Sequence, residues 1–116
     1  MLMNSRLDIQ DWLTLGQQAN WSVTKLAKLC GVSARTLERY FIWKVGKIPK
    51  AWLIEQRQRR AMELLRSGCL VKETAAELGY RYAHHFSRAF KVYWGFSPST
   101  QTDPNKPTAG NRRIWV

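Results

Sequence analysis

A chain of 116 residues has room for one compact domain and is too short for two ordinary ones. It carries 19 Lys+Arg against 8 Asp+Glu, a formal net charge of +11, and is 45% hydrophobic, so a core can be filled and a polyanionic partner is implied, nucleic acid more often than anionic lipid. Cys30 and Cys69 stand alone, without a CxxC or a His at ligand spacing, which excludes a disulfide scaffold and suits a reducing cytosol; no secretory signal opens the chain and no apolar run approaches the roughly 20 residues of a membrane span.

In chain order, residues 1–6 read as a loose lead. Leu7 to about Gly16 reads as a helix, with Ile9, Trp12, Leu13 and Gly16 at 3–4 spacing and Asp8 in the first turn. Gln17 to Trp21 is polar and turn-like. Ser22 is an N-cap for a helix whose apolar face is Val23, Leu26, Ala27 and Cys30, and Gly31 stops it with a positive φ. Ser33 caps a third helix with Leu37, Tyr40 and Phe41 inward, ending at Val45-Gly46-Lys47. Pro49 stands where a helix begins, at a position that tolerates a missing N–H. The helix from Pro49 to about Arg66 carries a stripe of Leu53, Arg57, Ala61, Leu64 and Leu65, flanked by Trp52, and Gly68 closes it. Val71, Thr74, Ala75 and Leu78 define the next helix, ended by Gly79. A last long helix runs from about Tyr82 to Tyr93, with Phe86, Ala89, Phe90 and Tyr93 inward. Ser97-Pro98 starts a short helix to about Gln101. Residues 102–116, with two prolines and no periodicity, read as a disordered tail. The class is all-α, with about seven helices.

One unit occurs twice. Ala27–Phe41 is AKLCGVSARTLERYF and Ala75–Phe90 is AAELGYRYAHHFSRAF. Each has Ala, three residues, Gly, an apolar residue, then an apolar–x–Arg–x–Phe ending, with one extra residue between the glycine and that ending in the second copy. Two helices joined by a short turn containing Gly form a helix-turn-helix. The alanines are small so that the first helix packs closely on the second. The outward face of the first copy is Ser33, Ala34, Arg35, Thr36, Glu38 and Arg39. That of the second is Tyr82, Ala83, His84, His85, Ser87, Arg88 and Lys91. Such a helix fits the DNA major groove, where Arg bonds guanine O6 and N7 bidentately, and Ser, Thr and His reach base edges or phosphates. Major-groove segments on one side of B-DNA lie about 34 Å apart. Pro49 to Arg66 spans about 27 Å of helix, so with its flanking turns it suffices for a monomer to place two reading helices one DNA turn apart.

These residues resemble the DNA-binding domain of the AraC/XylS family of bacterial transcription regulators, over about Leu7 to Pro98. The second copy carries the more specific match: Gly79-Tyr80, His85-Phe86-Ser87-Arg88-Ala89-Phe90-Lys91, then Gly95-Phe96-Ser97-Pro98. The first copy adds Leu26-Ala27, Gly31-Val32-Ser33, Leu37-x-Arg39-x-Phe41, Gly46 and Pro49. Trp52-Leu53, Arg57, Ala61 and Leu64-Leu65 fall at linker-helix positions. The resemblance implies two helix-turn-helix subdomains, residues 7–48 and 68–101, joined by a linker helix over 49–67. It implies a sequence-specific regulator, usually an activator, with double-stranded DNA as partner and RNA polymerase as a further candidate. Base readers would come from Ala34, Arg35, Thr36, Glu38 and Arg39, and from Ala83, His84, His85, Ser87 and Arg88. The match begins within ten residues of Met1, so the expectation is a stand-alone type without a small-molecule effector domain, or a DNA-binding domain separated from its sensor.

The chain departs from that pattern in four places. Tyr82 stands where the family often has a capping Asp or Ser. Ile42 and Trp43 replace residues that are usually charged, which exposes apolar surface. Gln58 and Thr74 stand where aliphatic residues are preferred. Ser99-Thr100-Gln101-Thr102-Asp103 replaces an aromatic-Arg continuation, which shortens the last helix.

Other readings carry less. His84 and His85 point about 100° apart on a helix with no third ligand evident, so no metal and no cofactor is expected. No P-loop, nucleophile elbow or HExxH is present, so the protein is not expected to be an enzyme. A DNA-binding fragment of a transposase or recombinase is the nearest alternative. A basic RNA- or ribosome-binding protein is another, disfavoured because the exposed helices carry no aromatic platform for stacking bases. Trp12 and Trp52 belong to core stripes. The expected setting is the bacterial cytoplasm, on the nucleoid.

Overall fold

The computed structural model describes Leu7 and residues 10–102, with side chains to residue 100. The described residues hold no strand; besides Leu7, which is itself helical, they form seven helices: α1 Trp12–Gln18, α2 Val23–Cys30, α3 Ala34–Lys44, α4 Pro49–Arg66, α5 Val71–Glu77, α6 Ala83–Trp94 and α7 Ser99–Thr102. The expectations for residues 1–6, for Asp8 and Ile9, and for the tail after Thr102 lie outside them; Thr102, expected as the first tail residue, instead ends α7.

Capping chemistry sets the helix starts. The Asp11 carboxylate accepts from the Thr14 N–H at 3.2 Å and from the Thr14 hydroxyl at 2.7 Å. Those bonds, the hydroxyl first, hold its carboxyl below the usual carboxylate range. Ser22 Oγ accepts from the Lys25 N–H at 3.3 Å, and Ser33 Oγ from the Thr36 N–H at 3.1 Å. Glu73 Oε1 reaches back to accept from the Leu70 N–H at 2.8 Å before α5. Each bond satisfies a donor that the helix itself leaves open.

The first helix therefore differs from the sequence expectation. It starts after Asp11 and continues through Gln17 and Gln18, where the sequence predicts a turn. Leu13, expected on the apolar face, is 45% exposed, because a start at Trp12 turns the inward face to Trp12, Leu15 and Gly16. The turn that follows is left-handed at two non-glycine residues, Asn20 (φ 53°) and Trp21 (φ 62°). Asn tolerates that region, whereas for Trp it costs about 1–2 kcal/mol. Two observations offset it. The Trp21 N–H donates to the Gly16 carbonyl at 2.8 Å, and the Trp21 ring lies over Gly16, where a Cβ would sit 3.6 and 3.7 Å from ring carbons.

The chain divides into two compact units, residues 1–57 and 58–116. In the first, α1 packs on α2 and α2 on α3. Its core is Leu7, Ala19, Leu26, Ala27, Cys30, Leu37, Tyr40, Phe41 and Leu53, with Trp12, Trp21, Val32 and Trp52 packed against it. Phe41 is the hub: it meets the Trp12 ring edge-on at 4.8 Å and the Trp52 ring at 5.5 Å. Burial pushes the Cys30 thiol above its ordinary value, which keeps it a neutral, unreactive core group.

In the second unit, α5 packs on α6. Ala61, Met62, Leu65, Ala75, Leu78, Phe86 and Phe90 are buried. Phe86 packs on Phe90 at 5.7 Å and on Tyr80 at 5.5 Å. Tyr93, expected inward, is 41% exposed; Trp94, one residue on, takes the partly buried place and packs on Phe90 at 6.1 Å. Gln58 and Thr74 are both buried, and Gln58 Oε1 and Thr74 Oγ1 find no hydrogen-bond partner. An orphaned buried polar atom costs about 1–3 kcal/mol, so each of these two positions weakens the core relative to an aliphatic residue of similar size.

Candidate nucleic-acid interface

The two repeated units close their turns identically. In the first, the Val32 N–H donates to the Ala27 carbonyl at 3.1 Å; in the second, the Tyr80 N–H donates to the Ala75 carbonyl at 2.9 Å. Between them Gly31 (φ 71°) and Gly79 (φ 83°) adopt the left-handed conformation this closure requires. Ala27 and Ala75 are buried at equivalent places, and so are the anchors Leu37 and Phe86. The small residue, the turn and the anchor thus fix α3 on α2 and α6 on α5 in the same manner.

What remains outward differs between the copies. On α3, Ser33, Ala34, Arg35, Glu38 and Arg39 are exposed and Thr36 is half-buried. The Ser33 hydroxyl donates to Thr36 Oγ1 at 3.0 Å, so these two side chains serve first to start the helix. The side chains of Arg35, Glu38 and Arg39 make no hydrogen bond or ion pair with any described residue, so Glu38 does not tie down the adjacent arginine. Ile42 and Trp43 lie further along α3 and are 53% and 60% exposed, as their apolar substitution for charge predicts. Lys44 Nζ lies 5.0 Å from the centre of the Trp43 ring.

On α6, Ala83, His84, His85, Arg88 and Lys91 are exposed and Ser87 is half-buried. The side chains of Arg88 and Lys91 form no ion pair or hydrogen bond with the described residues. Tyr82 is the N-cap residue, in extended conformation, and contributes no capping side-chain bond. Its ring instead stacks on His84 (5.6 Å, 21° between planes) and meets His85 edge-on at 5.4 Å. His84 and His85 are 4.3 Å apart. The Arg81 guanidinium lies 5.7 Å from the Tyr82 ring centre. This exposed aromatic cluster corrects the expectation that the outward helices carry none. It arises because a helix start lets residues i and i+2 approach, which 3.6-residue spacing does not anticipate. Arg81 was missed for a related reason. It precedes the helix, and only the stack on Tyr82 brings it to the outward face.

Among the described residues, no group of His, Cys, Asp and Glu is placed to hold a metal ion, and no helix is long and apolar enough to cross a membrane. The candidate interface is chemically simple: unpaired guanidinium groups, short hydroxyls and one aromatic cluster on two helix faces. Groups of this kind bond base edges and phosphates.

A family profile described as a helix-turn-helix domain matches residues 26–102. The HTH-type transcriptional regulator YidL of Escherichia coli (strain K12) is 37% identical over 83 residues, which cover 71% of this chain and 28% of that protein. The virulence regulon transcriptional activator VirF of Yersinia enterocolitica is 26% identical over 92 residues, covering 78% of this chain and 34% of VirF. The chain thus spans about a third or less of these relatives. The crystal structure of a transcriptional regulator with an AraC-type DNA-binding domain from Chromobacterium violaceum has the same fold, with a TM-score of 0.65 at 24% identity, covering 89% of this chain and 96% of that one.

Proposed function

The chain belongs to the AraC-type helix-turn-helix family, and from that premise we propose that it is a sequence-specific, double-stranded DNA-binding transcription regulator that reads bases through α3 and α6. The observation that carries this reading is the repetition: two turns closed by equivalent hydrogen bonds, each holding out a helix with unpaired arginines, Arg35 and Arg39 in one and Arg88 in the other. A net charge of +11 supplies the non-specific attraction to phosphate. The proposed base-reading set is Ala34, Arg35, Thr36, Glu38 and Arg39 with Ala83, His84, His85, Ser87 and Arg88. Ser33, Tyr82 and Lys91 stand at the edges of these faces.

The protein acts, on this proposal, as a monomer on two successive major-groove segments, in the bacterial cytoplasm on the nucleoid. Activation is the proposed sense of regulation, which is the activity named for VirF. RNA polymerase is then the partner, and Ile42 and Trp43 are among the exposed apolar side chains open to it. No catalysis is part of this reading.

Selection from a random-sequence duplex pool tests it. A motif should be enriched, and affinity for it should fall steeply with salt as condensed counterions are released. Enrichment of no motif, together with tight binding to RNA, would sink the proposal.

A further inference from the structure

We propose that Tyr82, held by Arg81, His84 and His85, is a specificity-determining residue that reads the 5-methyl group of a thymine. The inference rests on the DNA-reading function proposed for α6. Residues at the N-terminal end of a recognition helix contact base edges, and Tyr82 stands at that end, 49% exposed as a residue. The ring contributes no bond to the helix start. It is nevertheless held by three neighbours: His84 face to face, His85 at its edge, and the Arg81 guanidinium 5.7 Å from its centre. A held aromatic ring loses little side-chain freedom when it docks. The adjoining Ala83 is exposed as well and adds a methyl group to the same surface.

The major groove presents hydrogen-bond donors, acceptors and one apolar feature, the thymine methyl. An aromatic and methyl surface at the tip of a reading helix matches that feature and none of the others. The Tyr82 hydroxyl offers a different use, a hydrogen bond to phosphate. The two uses separate experimentally, because Tyr82→Phe keeps the ring and removes the hydroxyl. Tyr82→Ser removes the ring and restores a good capping residue, so the helix start does not suffer.

The test uses the full chain and the tightest duplex recovered by selection. Each thymine is replaced in turn by deoxyuridine, which removes the methyl and leaves base pairing intact. Wild-type protein and Y82F should lose about fourfold in affinity at one thymine, the worth of one buried methyl group. Y82S should bind more weakly and show no loss at that thymine. The inference is overturned if no thymine responds in the wild type, or if Y82S keeps the response. It is equally overturned if Y82F loses as much affinity as Y82S, which assigns the hydroxyl to phosphate, or if a single-stranded oligonucleotide binds more tightly than the duplex. Sequence-selective binding without a thymine response overturns this inference alone. Failure to select any motif overturns the DNA-reading function with it.

Discussion

The Tyr80 amide donates to the Ala75 carbonyl at 2.9 Å, and this bond fixes where α6 begins relative to α5. It forms because Gly79 takes a φ of 83°, which an L side chain adopts at a penalty of about 1–2 kcal/mol. Gly79→Ala should therefore destabilise the protein by about that amount, read as a lower urea midpoint. The substitution lies outside the proposed reading face, so DNA selectivity should persist at temperatures where the variant is folded. An unchanged midpoint would show that the turn has another conformation open to it.

Thr74 gives the opposite sign. Its hydroxyl is buried without a partner, and removing an unsatisfied group relieves its desolvation penalty. Thr74→Val should stabilise the protein by about 1 kcal/mol, raising the urea midpoint with an unchanged slope. A loss of stability would mean that the hydroxyl has a partner after all.

Gly16 is a packing glycine rather than a turn glycine. A Cβ there would approach Leu53 Cδ2 to 3.1 Å as well as the Trp21 ring. Gly16→Val forces those side chains apart and should cost about 1–3 kcal/mol, with a change in tryptophan fluorescence from the displaced Trp21 ring. Retention of both stability and emission would contradict the packing described.

Much of the fold was legible because local chemistry and global packing agree. Ser22 and Ser33 cap the helices they precede, Gly31 and Gly79 turn, and the anchors Leu37 and Phe86 are buried. The exposure of the proposed site residues was legible for the same reason: an apolar periodicity that assigns the inward face assigns the outward one too. The start of α1 was not, because the spacing of Ile9, Trp12, Leu13 and Gly16 outweighed a D-x-x-T signal at Asp11 and Thr14 that the hydrogen bonds obey. Tyr93 was misassigned because adjacent aromatics near a helix end leave the period ambiguous by one residue. The cluster of Arg81, Tyr82, His84 and His85 was illegible because it joins a pre-helical residue to the first turn. No periodic rule describes that juncture.

Arg88 tests the account most directly, since it is exposed on α6 and unpaired among the described residues. Affinities of the wild type and Arg88→Ala are measured on the selected duplex and on its single-base-pair variants. The account predicts a loss of about 1–3 kcal/mol on the selected duplex, with preference abolished at one base pair and retained elsewhere. An equal loss on every sequence, with all preferences intact, would make Arg88 a phosphate contact and contradict base reading by this residue.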